Sequence, residues 1–383
     1  MQVYLDNAAT TKMDKKVADI MYTYSVDKYA NASSIHYQGE EVYNNLVKAK
    51  KSVAKILNTD IDSLIFTASA SEANNLIIKG VARANKDKGK HVIVSSIEHP
   101  CVLGPAKELS KEGFRVSYLP VDKQGRVKIE ELKKLLKTET VLVSIMAANN
   151  EIGTIQDIKK IAKLVKKSGA YFHTDAVQAV PYLNIDIADW GVDFLTLSAH
   201  KFHGPKGVGL ACINKAIKIE PLITGGSQNQ GLRSGTTGTA GIMGFAKALE
   251  IAYKNRDKKI EKIKNLRDYF LLEIKKNIKN VYLNGHPSKR LDNNLNLRIN
   301  GVEGEAVLMD LSNQGICIST GSACSAKNLK TSYVIQALSI DPNYINSNIR
   351  FSLSKSTTKS EIDYTVKKLK NTVKRLRSFS PIK

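Results

Sequence analysis

Four cysteines, Cys101, Cys212, Cys317 and Cys324, are few for 383 residues, and none forms a C-x-x-C pair. That spacing argues against a disulfide framework and against a cysteine-rich metal site, and leaves room for one reactive thiol. No uninterrupted apolar run approaches the roughly 18 residues of a membrane span. The opening residues, Met1-Gln2-Val3-Tyr4-Leu5-Asp6, lack a basic stretch followed by an apolar one. Neither a secretory signal nor a transit peptide is expected, and the default expectation is a cytoplasmic protein without membrane contact. Internal repeats and low-complexity linkers are absent as well. Acidic residues are in deficit: 36 Asp and Glu stand against 58 Lys and Arg, a formal charge of +22. Such an excess suits nucleic acid, an acidic protein partner, or solubility. It gathers between Lys254 and Lys264 and again between Lys367 and Arg377. Both runs interleave with apolar residues at helical spacing, and aromatics are sparse among them. Solvated helix faces fit this better than a nucleic-acid surface.

What is present is an ordinary globular composition, 42% hydrophobic and 25% charged, on a chain long enough for two or three domains. From about residue 64, strand-like and helical stretches alternate. Strands are expected at 64–67, 91–95, 116–119, 141–146, 171–173 and 194–198, with helices over 40–57, 73–83, 129–136 and 157–167. This alternation implies a mainly parallel sheet with helices on both faces. Ligands bind at the carboxyl ends of such strands. Four of those ends carry His99, Asn150, Asp175 with Gln178, and Ser198 with His200 and Lys201.

Singly, each has an ordinary reading: Lys201 as one solvated lysine among many, Ser71 as a plain helix cap. Four polar strand ends along one edge read as a site. Ser71, at a helix start with free amides around it, suits a phosphate. From residue 236 the pattern changes to helices reaching about 279, with a break near Asn255. Strands at 295–299, 316–319 and 349–353 follow, with helices at 305–311, from 332 and from 360. These suggest a smaller α+β domain. The expected division is a large domain over 13–250 and a small one built from 1–12 and 251–383. Within the latter, the small-residue stretch at 320–327 is expected to be a loop able to move. Cys212 and Cys317, in apolar strand-like runs, are expected in the core.

A lysine beside hydroxyl and imidazole groups can bond covalently to an aldehyde cofactor whose phosphate its neighbours hold. A pyridoxal phosphate enzyme needs such a lysine, and a carboxylate that keeps the pyridine nitrogen protonated so that the ring acts as an electron sink. It also needs a ring over the cofactor face and polar groups for the phosphate. Asp175 and Lys201, each just past a strand, are placed to converge, and Gln178 could reach the ring hydroxyl.

Seven segments occur in order: Tyr4 to Thr11, Glu98-His99, Asn149 to Gly153, Thr174 to Gln178, Ser198 to Lys201, Arg233 to Thr236, and Gly321 to Cys324. Together, across nearly the whole chain, they resemble the cysteine desulfurases of the class V aminotransferase family. The resemblance implies an α/β fold of the aspartate aminotransferase-like type I. Its large domain would hold a mainly parallel seven-stranded sheet beside the smaller α+β domain. It implies pyridoxal 5'-phosphate bonded to Lys201, with Asp175 on the pyridine nitrogen, Gln178 on the phenolic oxygen and His99 stacked on the ring and moving protons. Ala70, Ser71, Ser198 and His200 would hold the phosphate, joined by Thr236 of a neighbouring subunit, hence a homodimer with shared sites. Asn150, which would also touch the cofactor, and Arg350 would fix the substrate carboxylate. Cys324 would take sulfur from L-cysteine, leaving alanine and a persulfide. Cys101, near His99, is the rival nucleophile.

The acceptor implied is an iron–sulfur scaffold, a tRNA thiolation enzyme or a thiamine route, any tRNA contact being indirect. The longer form of the Cys324 loop fits the first two pathways. Alternatives are a selenocysteine lyase or relative acting on another amino acid and, in a different class, a cofactor-bound scaffold or nucleic-acid-binding protein. Lys201, Asp175 and Cys324 together weigh against a non-catalytic role. Several residues depart from the family pattern. Serine replaces threonine at Ser71, Ser69 replaces a glycine and Ala32 a proline. Gly225 to Gln230 lacks a Glu-Arg pair expected near the subunit boundary.

Overall fold

The computed structural model of the protein describes residues 1–321 and 331–379. After β1 (Val3–Tyr4), α1 (Lys15–Val26) and α2 (Tyr37–Leu57), a seven-stranded sheet is built from β2 (Leu64–Thr67), β3 (His91–Ser95), β4 (Arg115–Leu119), β5 (Thr140–Ser144), β6 (Tyr171–Asp175), β7 (Phe194–Ser198) and β8 (Gly209–Ile213). Its order is β2-β8-β7-β6-β5-β3-β4. Most neighbours are parallel, and β8 alone runs antiparallel to both β7 and β2.

The crossover helices are α3 (Ala70–Ala84), α4 (Pro100–Lys111), α5 (Ile129–Leu135) and α6 (Ile158–Lys167), with α7 (Ile187–Trp190) shorter. Side chains alternate across the strands and so feed two cores. Phe66, Ile93, Val143, Phe172 and Leu195 pack on one side with Val53 of α2, Ile161 of α6 and Phe245 of α8 (Thr239–Tyr253). Ile65, Val92, Val94, Leu142 and Phe194 pack on the other with Ile77 of α3 and Val102 of α4. Sequence patterning did not mark α4, because Pro105 sits inside it. Its first turn nonetheless carries Pro100, where a missing N–H costs nothing.

A third core joins α9 (Arg256–Asn277), β9 (Val281–Leu283), β10 (Asn294–Ile299), α10 (Gly304–Asn313), β11 (Ile316–Cys317), β12 (Asn348–Ser352) and α12 (Lys359–Phe379). β10 lies between β9 and β12, antiparallel to both. Asn255, in the left-handed region at φ 52°, separates α8 from α9. On α12, Val366, Leu369 and Val373 are buried while Lys367, Lys370 and Lys374 are exposed, as expected for a solvated basic face. α11 (Tyr333–Ala337) packs Val334 and Ile335 into the first core, against the large sheet. Among the described residues no helix is long and apolar enough to cross a membrane, and none of their side chains cluster to hold a metal.

One cysteine expectation fails. Cys212 is buried in β8, but Cys317 is exposed. β11 is two residues long and pairs only with β1, so alternation turns Ile316 inward and Cys317 out.

Candidate active site

Adjacent strands β6 and β7 end at Asp175 and Ser198, and a single 3₁₀ turn, Ala199–Lys201, follows. These ends form the floor of a cleft of about 230 Å³. His99, Asn150, Asp175, Gln178, His200 and Lys201 line it together with Ala70, Ser71, Ser198 and Arg350. Lys201 Nζ donates to the carbonyls of Ala8 (2.7 Å) and Ala9 (2.8 Å). Gln178 Nε2 also donates to the Ala8 carbonyl, at 3.0 Å. The segment between β1 and α1 is thus a strap across the cleft. Asp6 of the strap pairs with Arg350 at 2.7 Å, and Arg350 also donates to the Asn150 carbonyl at 2.9 Å.

Asp175 is buried, and its carboxylate accepts from the Asn74 side-chain amide at 2.8 Å and the Val177 N–H at 3.0 Å. Both donors are neutral, and Asp175 lines the cleft. Sequence reasoning missed Asn74, whose signal was only a second amide within α3.

His99 caps α4, its Nδ1 accepting the Cys101 N–H at 3.2 Å, which leaves the neutral ring's proton on Nε2. Burial lowers its pKa, opposed by the Asp175 charge and reinforced by that of Lys201. His200 bonds Thr10 Oγ1 at 3.1 Å, and burial with the Lys201 and Lys206 charges holds it down to about 4. Burial pushes the Cys101 thiol up to about 12, so at neutral pH it stays protonated and is a poor nucleophile. The preceding residue, Glu98, is wholly buried. Burial raises its pKa to about 8 against the hydrogen bonds from Ser95 and Met146.

At the other wall α3 begins. Ser69, not Ser71, is its cap, the Ser69 hydroxyl accepting the Glu72 N–H at 3.1 Å. Its φ of −167° is extended backbone, so replacing glycine here strains nothing. Gly209 of β8 makes the close approach: a Cβ there would lie 2.3 Å from the Ser69 carbonyl carbon. The first-turn amides of Ala70 and Ser71 have no helical carbonyl to take them, and both residues line the cleft, so this helix start suits an anion. In the segment lacking the Glu-Arg pair, Gln230 Nε2 donates to the Asp62 carbonyl, and just after it Arg233 pairs with Glu72 at 3.0 Å. Thr236 is exposed and does not line this cleft. Cys324 lies outside the described residues, as does the rest of its expected loop from Ser322 to Lys327.

An amine and a buried carboxylate on adjacent strand ends, a neutral imidazole and an anion-binding helix start form the donor set of a phosphorylated aldehyde cofactor site. The aminotransferase class-V family pattern matches residues 3–365. The chain belongs to that family, whose members depend on pyridoxal phosphate. The class is narrowed by its relatives. The protein is 47% identical to the cysteine desulfurase IscS of Dictyoglomus turgidum, covering 100% of this chain and 97% of that one. It is 42% identical to the cysteine desulfurase IscS of Methanosarcina thermophila, covering 99% and 94%. Among solved structures, a NifS-like protein superposes with a TM-score of 0.92 at 38% identity, over 98% of this chain and 100% of the other. SspA in complex with cysteine superposes at 0.80 with 32% identity, over 94% and 100%. Within the class-V aminotransferases, the chain stands among the cysteine desulfurases.

Proposed function

We propose that this protein takes sulfur from L-cysteine, leaving L-alanine and a persulfide on Cys324, with the cleft side chains in the roles that follow. The observation that carries the reading is Lys201 Nζ and the Asp175 carboxylate ending adjacent strands in one cleft. Lys201 holds the pyridoxal phosphate, Asp175 faces the pyridine nitrogen, and Gln178 the ring hydroxyl. Ser71, Ser198, His200 and the Ala70 and Ser71 amides take the phosphate. When bound, the cofactor supplies an electron sink for bonds at the substrate's α-carbon. His99, neutral and with its proton on Nε2, covers the ring and moves protons to and from the substrate. Arg350 and Asn150 receive the substrate carboxylate.

The Cys324 thiolate bonds to the substrate sulfur as the Cβ–S bond breaks. The electron pair stays with Cβ, which is protonated to the methyl of alanine. Counting atoms, L-cysteine and a thiol become L-alanine and a persulfide. The raised pKa of Cys101 supports Cys324 as the nucleophile.

The finer reading is a cytoplasmic homodimer in which the exposed Thr236 completes the phosphate site of the other copy's cleft. The large part spans 13–250, and the small one 1–12 with 251–383. Its persulfide sulfur goes to iron–sulfur cluster assembly, tRNA thiolation, or both, through an acceptor protein. The names of the IscS relatives support sulfur delivery.

The test is to incubate the protein with L-[35S]cysteine and follow alanine release and protein-bound persulfide. Cys324→Ala is expected to lose both while retaining the bound cofactor's visible absorbance. Full turnover with persulfide formation in that variant would sink the assignment.

A further inference from the structure

Outside the donor set of the cleft, a second buried carboxylate stands beside it. Glu151 follows Asn150 in the turn beyond β5 and is 1% exposed. Its own backbone is fixed on both sides: its N–H donates to Asn149 Oδ1 at 2.9 Å, and its carbonyl accepts from the side chains of Asn294 and Asn296, each at 3.1 Å. The backbone that carries its carboxylate is therefore held still, and both described flanks of positions 322–330 meet that carboxylate. On one flank, a Cβ built on Gly321 would lie 3.1 Å from Glu151 Oε2. On the other, Ser332 Oγ donates to the same Oε2 at 2.6 Å.

We infer that Glu151, through Ser332, is a positioning residue for sulfur transfer, fixing where the segment that bears Cys324 joins the rest of the chain. The inference rests on Cys324 being the sulfur-accepting thiol. Ser332 Oγ gives its single proton to Glu151 and accepts the Ile335 N–H at 3.3 Å as the cap of α11. A hydroxyl committed in both directions has no free rotor. The next residue ties the same flank to the His99 strand end, Tyr333 Oη donating to the Glu98 carbonyl at 2.6 Å. On the first flank, Ser319 exchanges backbone hydrogen bonds with Arg350, its N–H donating at 3.1 Å and its carbonyl accepting at 2.6 Å. The two flanks are thereby registered to the neighbours of Asn150 and His99 and to Arg350 itself. An attacking atom misplaced by about 1 Å can lose on the order of a hundredfold in rate, so such registration bears on the transfer step more than on substrate capture.

The test compares Ser332→Ala, Ser332→Thr and Glu151→Gln holoenzymes. For Ser332→Ala and Glu151→Gln, kcat is expected to fall by about tenfold to a hundredfold. KM for L-cysteine should change by no more than about twofold, and the bound cofactor's absorbance should be retained. Single-turnover persulfide formation on Cys324 should slow by the same factor as kcat. Ser332→Thr, which keeps the hydroxyl, should restore the rate. Wild-type kcat in Ser332→Ala overturns the inference. So does a kcat loss that tracks cofactor loss and is not restored by threonine, since that pattern marks general unfolding. Because Ser332 is a surface-proximal cap, its variants read out even where Glu151→Gln fails to fold. A Cys324→Ala control that turns over fully would instead overturn the nucleophile assignment beneath the inference.

Discussion

Among the described residues, Lys201 and Arg350 both line the cleft, and the contacts described for them differ in kind. Lys201, from the seven-stranded sheet, donates to the neutral carbonyls of Ala8 and Ala9. Arg350, from β12 beside the third core, is 1% exposed and ion-paired with Asp6. Where the Lys201 amine leaves the Ala8 and Ala9 carbonyls, it leaves neutral acceptors. A buried guanidinium that loses its carboxylate is left with uncompensated charge. The first arrangement suits a group that must form and break bonds, the second one that must stay charged and oriented. One strap, residues 6–9, serves both.

The widest separation between the two is expected from Lys201→Ala. It should take L-cysteine turnover to background and abolish the visible absorbance of bound cofactor, with a melting temperature close to wild type. A large stability loss there would show that the amine is structural, and would break the comparison. Asp6→Asn should act the other way, removing about 3 kcal/mol of stability because Arg350 keeps its charge in a buried place. Denaturant titration measures this, and a change under about 0.5 kcal/mol would equate the two cations.

Glu98 sharpens the contrast with Asp6, being a buried acid with neutral donors. Its folded pKa is raised from 4.5 to about 8. The folded state therefore keeps a proton that the unfolded chain releases first. Stability tied to this group is full below about pH 4.5 and declines as pH rises through about 8, by on the order of 1–3 kcal/mol. Glu98→Gln should remove that slope, read as the difference between unfolding free energies at pH 6 and pH 9; an unchanged slope would contradict it. The smallest effect is expected at Cys317→Ser, within about 0.5 kcal/mol because the thiol is exposed. A larger loss would return Cys317 to the core.

The strand ends were legible because apolar β-forming runs stop abruptly at polar residues, as at Thr174-Asp175 and Ser198-Ala199-His200-Lys201. Ten of the proposed site residues, from Ala70 to Arg350, line the same cleft. What was hidden had no side-chain signature. Nothing in Ala8 or Ala9 announces that their carbonyls receive Lys201 from more than 190 residues away. The cap at Ser69 rather than Ser71 turned on a two-residue shift in a helix start that two serines could both supply. Glu151 and Asn74 were readable as polar residues but not as buried ones, since burial comes from the packing of other elements around them. Cys317 misled because an apolar neighbourhood in sequence does not say which face of a two-residue strand is covered.

The strap also sets an order of assembly. Asp6 and Arg350 are 344 positions apart. A chain emerging from the ribosome holds Lys201 and Asp175 long before Arg350 exists to meet Asp6. The Lys201 and Asp175 side of the cleft is thus synthesised well before the Arg350 side, and the Asp6–Arg350 pair can close only after residue 350 has been made.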